Sequence, residues 1–146
     1  MKSIWAFLLW VGAASSTSAA IFTVTTTNDS GPGSLRQAIH DANAAVGVRA
    51  IQFNIPVSGV PTIAPLTPLP DITNTVSLNA ATQPWDWAVR LDGANLTNSL
   101  AYALTLRANN CVVRGFVIVR FSSGILIDSG SGNSIVGNRI GLLRIA

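Results

Sequence analysis

The acidic side chains limit the acid–base chemistry that this chain could perform. All acids are aspartates, and no glutamate occurs: Asp29, Asp41, Asp71, Asp86, Asp92 and Asp128. A glycosidase needs two carboxyl groups about 5 to 9.5 Å apart, and a calcium-dependent lyase needs a carboxylate cluster beside a basic residue. No two aspartates are adjacent in sequence, so only the fold could assemble such a site. Its candidate members are Asp92, Arg107, Arg114 and Asp128.

The single histidine and the single cysteine do not indicate nucleophilic or metal chemistry. Cys111 is far in sequence from His40, and a reactive thiol needs an activating base nearby. His40 has no second His, Cys or carboxylate at metal-ligand spacing. A serine nucleophile would need a Gly-x-Ser-x-Gly turn, which the sequence lacks. We therefore predict no catalytic residue, no metal site and no cofactor.

Two tryptophans are the side chains best suited to contact a ligand. Trp85 and Trp87 are separated by one residue, so an extended backbone would place both indoles on one side. Exposed indole rings stack on sugar rings and protein surfaces. The alternative is that one or both fold back onto the domain. The sequence identifies Trp85 and Trp87 as candidate carbohydrate-stacking residues.

Composition favours a turn-rich β protein over a helical or nucleic-acid-binding one. Of the 146 residues, 49% are hydrophobic and only 10% are charged, with a formal net charge of +3. An ordinary soluble domain has about 25% charged residues. The arginines are scattered from Arg36 to Arg144 and form no basic patch, so nucleic acid is not a predicted partner.

The first 20 residues have the three-part pattern of a secretory signal peptide. Lys2 is followed by an apolar run over residues 4–14 and by small residues at 18–20. The alternative is an uncleaved membrane anchor. No later segment is long and apolar enough to span a bilayer. We expect an exported protein, secreted or held at the cell surface or outer envelope, with no transmembrane segment after cleavage.

The next part of the chain predicts one strand, one helix and a proline-rich stretch. Residues 21–25 are rich in β-formers. Ser34 and Gln37 form a capping box for an amphipathic helix over residues 34–45, which Gly47 can end. A second strand follows at 50–55, and five prolines then keep residues 56–70 extended and irregular. The next strand begins at residue 76.

A 22-residue repeat appears in the second half of the chain. Its three columns are an aliphatic one at Leu91, Val113 and Ile135, a glycine one at Gly93, Gly115 and Gly137, and another aliphatic one at Leu96, Ile118 and Ile140. Residues 104–106 and 125–127 repeat with a similar period. Such a repeat predicts stacked coils whose aliphatic side chains form ladders. A β-sandwich is the alternative, but it does not explain the glycine column.

This register predicts two ion pairs between neighbouring coils. Asp92 and Arg114 are 22 residues apart, and Arg107 and Asp128 are 21 apart. Each pair would stabilise the fold by at most about 1 kcal/mol if exposed.

Motifs along most of the chain resemble those of bacterial exported right-handed parallel β-helix repeat proteins. The matching segments are FTVTTTNDSGPGSLRQAI (22–39), IQFNIP (51–56), PLPDIT (68–73), ATQP (81–84), LDG (91–93), GILI (124–127) and GNRIG (137–141). The resemblance implies an all-β, pectate-lyase-like solenoid with an N-terminal capping strand and short amphipathic helix. It implies a signal peptide at 1–20, a cap at 21–75 and incomplete coils at 76–146.

The sequence departs from the family pattern at two places. Residues 85–87 replace a glycine-containing loop, and the pattern stops after Gly141, so the C-terminal end is expected to be open or truncated. The matching motif residues of the family are structural, and no catalytic residue is carried over. Members are commonly long surface or secreted proteins.

Three functions follow as hypotheses. The first is a non-enzymatic secreted or cell-surface scaffold for adhesion or binding, with a glycan or another surface protein as its partner. The second is a polysaccharide-active lyase or hydrolase of the same fold, and the third is a truncated reading frame with no independent role. An open end also predicts self-association.

Overall fold

The computed structural model describes residues 19–85, 88–97 and 101–141. These residues contain one α-helix, α1 (Leu35–Ala44), two short 3₁₀ helices at Ala80–Thr82 and Gly93–Asn95, and eleven strands. The strands are β1 (Ala20–Val24), β2 (Arg49–Phe53), β3 (Thr62–Ile63), β4 (Ser77–Asn79), β5 (Val89–Asp92), β6 (Tyr102–Arg107), β7 (Val112–Arg114), β8 (Phe116–Val119), β9 (Ser123–Ser129), β10 (Ser134–Val136) and β11 (Arg139–Ile140).

The strands form three small parallel sheets. One sheet has the order β1-β2-β4-β7-β10, a second has the order β11-β8-β5-β3, and a third contains β6 and β9. An isolated parallel bridge joins Ile72 to Leu106 beside the third sheet. All described strand pairs are parallel, so the connections between paired strands return across the fold.

The prediction of an all-β, right-handed parallel β-helix is wrong. The described residues form a small mixed α/β fold with several separate parallel sheets, and none of these sheets closes or forms a solenoid. The reason is visible in the pairing. A solenoid repeat requires equivalent residues to stack at one constant period, whereas the paired strands here lie at different separations along the chain.

The first column of the 22-residue repeat divides between two sheets. Val113 lies opposite Ile135, as predicted. Leu91, however, lies opposite Ile118 in the second sheet, and the strand paired with Val113 on its other side contains Leu78. Local similarity of short aliphatic segments predicted this register, but backbone pairing over a longer loop decided it.

The other two columns are likewise only partly correct. Ile118 lies opposite Ile140, which confirms that pair, but Leu96 follows a 3₁₀ helix and belongs to no strand. Gly115 and Gly137 directly follow the paired strands β7 and β10, and both have left-handed backbone. Gly93 instead lies against the carbonyl oxygen of Arg120, so it does not belong to the glycine column.

The predicted helix is confirmed. Ser34 caps α1, and its hydroxyl accepts a hydrogen bond from the Gln37 N–H at 3.2 Å. The Gln37 side chain does not return to Ser34 but donates to Asp41 at 2.8 Å, so only half of the capping box forms. The helix ends at Ala44, before Gly47, which has left-handed backbone in the following turn.

A single hydrophobic core lies between α1 and the sheets. The apolar face of the helix is buried in it: Leu35, Ala38, Ile39 and Ala42. The aromatic rings of Phe53 and Phe116 meet edge to face there, with centroids 5.5 Å apart. The predicted strands at 21–25 and 50–55 are confirmed as β1 and β2, and both have core-facing side chains.

The predicted signal peptide lies outside the described residues except for its last two positions. Ala20 already begins β1, and its N–H donates to the Val48 carbonyl at 2.8 Å. In the part of the chain that the structure describes, no helix is long and apolar enough to cross a membrane.

Candidate functional site

Trp85 is the most exposed large hydrophobic side chain of those near a predicted site. Its indole is 87% exposed, and its backbone has a φ of 75°. Left-handed backbone costs a non-glycine residue about 1–2 kcal/mol. The exposed side chain offsets this cost with little burial, so Trp85 is held in its position by the surrounding chain.

The residue that holds this position is Gln83. Its side-chain amide is buried and replaces a strand partner for Ile55: the Oε1 atom accepts from the Ile55 N–H at 2.9 Å, and the Nε2 atom donates to the Ile55 carbonyl at 2.8 Å. Pro84 then restricts the backbone between Gln83 and Trp85. This anchor was not predicted, because nothing in the sequence connects Gln83 with Ile55.

The second predicted stacking residue, Trp87, lies outside the described residues, as does Asp86. The arrangement of two indoles on one side therefore stays a prediction.

The first predicted ion pair does not form. Asp92 lies opposite Val119, whereas Arg114 lies opposite Asn79 in the other sheet. Asp92 instead binds Arg120 through both carboxylate oxygens, with the Arg120 Nε atom 2.6 Å from Oδ1.

The Asp92 carboxylate has a structural role. It also accepts from the Ala94 N–H at 3.1 Å and so caps the 3₁₀ helix at Gly93–Asn95. The hydrogen bond from Arg120 holds the pKa of Asp92 below its ordinary value, although burial acts in the opposite direction.

The second predicted ion pair is confirmed and includes a third member. The Arg107 Nε atom lies 2.9 Å from Asp128 and 3.2 Å from Asp71. Ile72 bridges to β6, which brings Asp71 beside Arg107, and the pairing of β6 with β9 brings Asp128 there. All three side chains are 41–51% exposed. The fold thus gathers two of the six aspartates around one guanidinium group.

A further charged junction joins the turn before α1 to the proline-rich segment. The Arg36 guanidinium binds the Asp29 carboxylate at 2.7 Å and donates to the carbonyls of Thr67 and Pro68. The Leu66 N–H also donates to Asp29 at 3.1 Å. Burial acts to raise the pKa of Asp29, but the bonds from Arg36 and Leu66 outweigh it and leave this pKa below its ordinary value. These contacts fix the path of residues 66–68.

Neither His40 nor Cys111 belongs to a cluster with chemical function. His40 is exposed on α1. Cys111 is buried, and burial raises the pKa of its thiol, which disfavours the reactive thiolate. Within the described ranges, no group of three or more His, Cys, Asp or Glu side chains could hold a metal ion.

Asparagines beside the strands bind the neighbouring backbone. The Asn138 Oδ1 atom accepts from the Phe116 N–H at 3.0 Å, and its Nδ2 atom donates to the Val113 carbonyl at 2.8 Å. Asn133 accepts from the Cys111 N–H at 2.8 Å. The sequence placed these asparagines in turns, but it did not predict their hydrogen bonds across strands.

Comparison of the chain with protein-family models, curated proteins and solved structures gives no significant match. The resemblance to bacterial exported repeat proteins therefore stays an interpretation of sequence motifs, and the function is argued from the geometry of the described residues.

Proposed function

We propose that this protein is an exported, non-enzymatic binding module of the cell surface or its surroundings, and that Trp85 contacts a carbohydrate ligand. The observation that carries this proposal is the 87% exposed indole on left-handed backbone. Strained positions persist where the surrounding structure holds them, and they are frequent at ligand-binding sites. An aromatic side chain on a fixed backbone can stack on a sugar ring with little loss of conformational entropy.

The surroundings of Trp85 support a rigid contact. Gln83, two residues earlier, is 1% exposed and binds both backbone groups of Ile55. The indole therefore projects from an anchored bend, and its orientation relative to the core is set before ligand arrives. Preorganisation of this kind lowers the entropic cost of binding.

An enzymatic function has less support from the aspartates. A glycosidase needs one carboxyl group with a raised pKa to act as a general acid. The pKa values of Asp29 and Asp92 are lowered, and both carboxylates are bound by arginines in structural contacts. Asp71 and Asp128 share the cation of Arg107, which favours their charged forms.

The proposal is tested by electrophoresis of the folded protein through native gels that contain dissolved xylan, mixed-linkage glucan or polygalacturonate. We expect retardation by at least one polysaccharide, and we expect Trp85→Ala to abolish it. Leu66→Ala is the matched control, because Leu66 is also an exposed apolar residue, at 63%, and its backbone contacts remain intact. Equal retardation of Trp85→Ala and wild type would show that Trp85 is not the contact, and mobility unchanged by all three polysaccharides would contradict the proposed ligand class.

We also propose that the protein self-associates through the edges of its sheets at β9, β10 and β11. Ile127, Val136 and Ile140 on these strands are 48%, 47% and 52% exposed. Ile127 and Ile140 stack on Leu106 and Ile118, which are fully buried, so a second copy would extend apolar rows already present. Sedimentation velocity should show dimers that dissociate on dilution, and Ile140→Lys should shift the protein to monomer. A wild-type monomer at 100 µM, about the upper range for weak dimers, would contradict this.

A further inference from the structure

A groove runs beside α1 along the outer edge of β1. It has a volume of about 230 Å³ and is lined by two elements and the turn between them: Ile21, Phe22, Thr23, Gly33, Ser34, Gln37, Ala38 and Asp41. Pockets for drug-sized molecules measure about 300–1,000 Å³. The groove is therefore better matched to one or two side chains of a peptide than to a whole small molecule.

The backbone of β1 faces this groove with hydrogen-bonding groups that its sheet does not use. The Ala20 N–H donates to Val48, and the Val24 carbonyl accepts from Asn54, so these residues face β2. Because backbone groups alternate along a strand, the N–H and C=O groups of Ile21 and Thr23 point away from β2. Among the described strands, β1 is the edge of its sheet.

The same edge already binds one segment of extended backbone. The Thr25 N–H, which points to the outer side with those of Ile21 and Thr23, donates to the Gly33 carbonyl at 2.9 Å. A second extended segment placed before Gly33 would continue this pairing along Thr23 and Ile21. Ile21 is 56% exposed in the absence of such a segment.

The electrostatics of the groove indicate the charge of its ligand. Asp41 is the only charged side chain among the described residues that line it. Its Oδ1 atom accepts from the Gln37 side chain at 2.8 Å, which orients the carboxylate on the helix surface. A cationic side chain of the ligand would be attracted to this carboxylate.

We propose that the groove between β1 and α1 binds an extended peptide segment, which adds to the sheet as a strand beside β1 and places a lysine or arginine against Asp41. Addition of a strand to an exposed sheet edge is a common mode of peptide recognition, in which main-chain hydrogen bonds provide affinity and side-chain pockets provide specificity. This site is separate from Trp85 and does not rest on the carbohydrate ligand.

The experiment uses the purified protein labelled with ¹⁵N and two capped synthetic hexapeptides, one of alternating valine and lysine and one of alternating valine and glutamate. We expect the lysine peptide to shift the amide signals of Ile21 and Thr23 and to bind about two- to fivefold more tightly than the glutamate peptide. Shifts confined to β9, β10 and β11, or no shift with either peptide, would overturn the proposal.

Two variants separate the backbone contact from the charge. Thr23→Pro removes an N–H that points into the groove and is not used by the sheet, so it should weaken the lysine peptide about tenfold. Thr23→Val keeps that N–H and is its control. Asp41→Lys should reverse the preference so that the glutamate peptide binds more tightly, whereas His40→Lys, on the same helix but outside the groove lining, should not.

The Asp41→Lys result also decides the case in which Thr23→Pro fails to fold, because Asp41 is exposed and its substitution leaves the strand intact. An unchanged preference in Asp41→Lys would overturn the predicted charge complementarity. Wild-type affinity in a folded Thr23→Pro variant would overturn the predicted strand pairing.

Discussion

Gly115 and Gly137 have similar backbone conformations but different surroundings. Their φ angles are 81° and 62°, and each follows one of two paired strands, β7 and β10. A β-carbon on Gly115 would lie 2.5 Å from the Ala81 nitrogen and 3.0 Å from the Ala81 Cβ atom. On Gly137 its nearest neighbour would be the Arg114 Cγ atom at 3.9 Å, an ordinary contact. Substitution by alanine therefore tests packing at constant backbone geometry.

The expected costs follow from these distances. Left-handed backbone costs an alanine about 1–2 kcal/mol at either position. Gly115→Ala also forces a methyl group against the backbone of Ala81, and overpacking of this kind adds about 1–3 kcal/mol. We expect the free energy of unfolding to fall by about 1–2 kcal/mol for Gly137→Ala and by about 2–5 kcal/mol for Gly115→Ala.

Urea denaturation followed by circular dichroism measures both values, provided that the m-value is unchanged. Gly31→Ala is a control for backbone strain alone, because Gly31 has a φ of 90° and nothing lies within 4 Å of its added β-carbon. Its cost should match that of Gly137→Ala. If Gly115→Ala and Gly137→Ala agree within about 0.5 kcal/mol, the close approach of Ala81 to Gly115 is wrong.

Three further predictions concern buried polar groups. Asp92→Asn should lower stability at neutral pH through loss of the charge-assisted bond from Arg120; because the folded pKa of Asp92 is lowered, the difference from wild type should persist above the unfolded value of about 3.9 and disappear as acid titration passes through the folded pKa. An acid-independent difference would contradict it. Gln83→Leu should lower the free energy of unfolding by about 2–4 kcal/mol in urea titrations, since it leaves the N–H and C=O groups of Ile55 unpaired; a change below about 0.5 kcal/mol would exclude this anchor. Cys111 should react with a thiol reagent in 8 M urea, about the strongest usual denaturing condition, and should resist it in the folded protein, because burial both raises its pKa and blocks access; equal rates would contradict its burial.

Local patterns in the sequence were sufficient to predict the elements and some of their neighbours. The spacing of Leu35, Ala38 and Ile39, with Ser34 as cap, predicted a helix that the structure confirms, because a helix depends on contacts within a few residues. The ion pair of Arg107 with Asp128 followed in the same way from the similarity of two short strand segments.

The larger arrangement was not accessible in this way. The sequence predicted a closed coil with a constant period, but parallel strands pair across loops of unequal length, and many aliphatic segments are equivalent until packing selects among them. Tertiary packing therefore placed Leu91 opposite Ile118, paired Asp92 with Arg120 and joined Gln83 to Ile55.

The candidate sites show the same division. Sequence alone identified Trp85 as a side chain able to contact a ligand, since that property belongs to the residue type. Its exposure and left-handed backbone depend on the bend after Gln83, and the groove at Asp41 depends on α1 lying beside the edge of β1. Residue chemistry is local and is determined by sequence, whereas accessibility and proximity arise only when distant segments pack together.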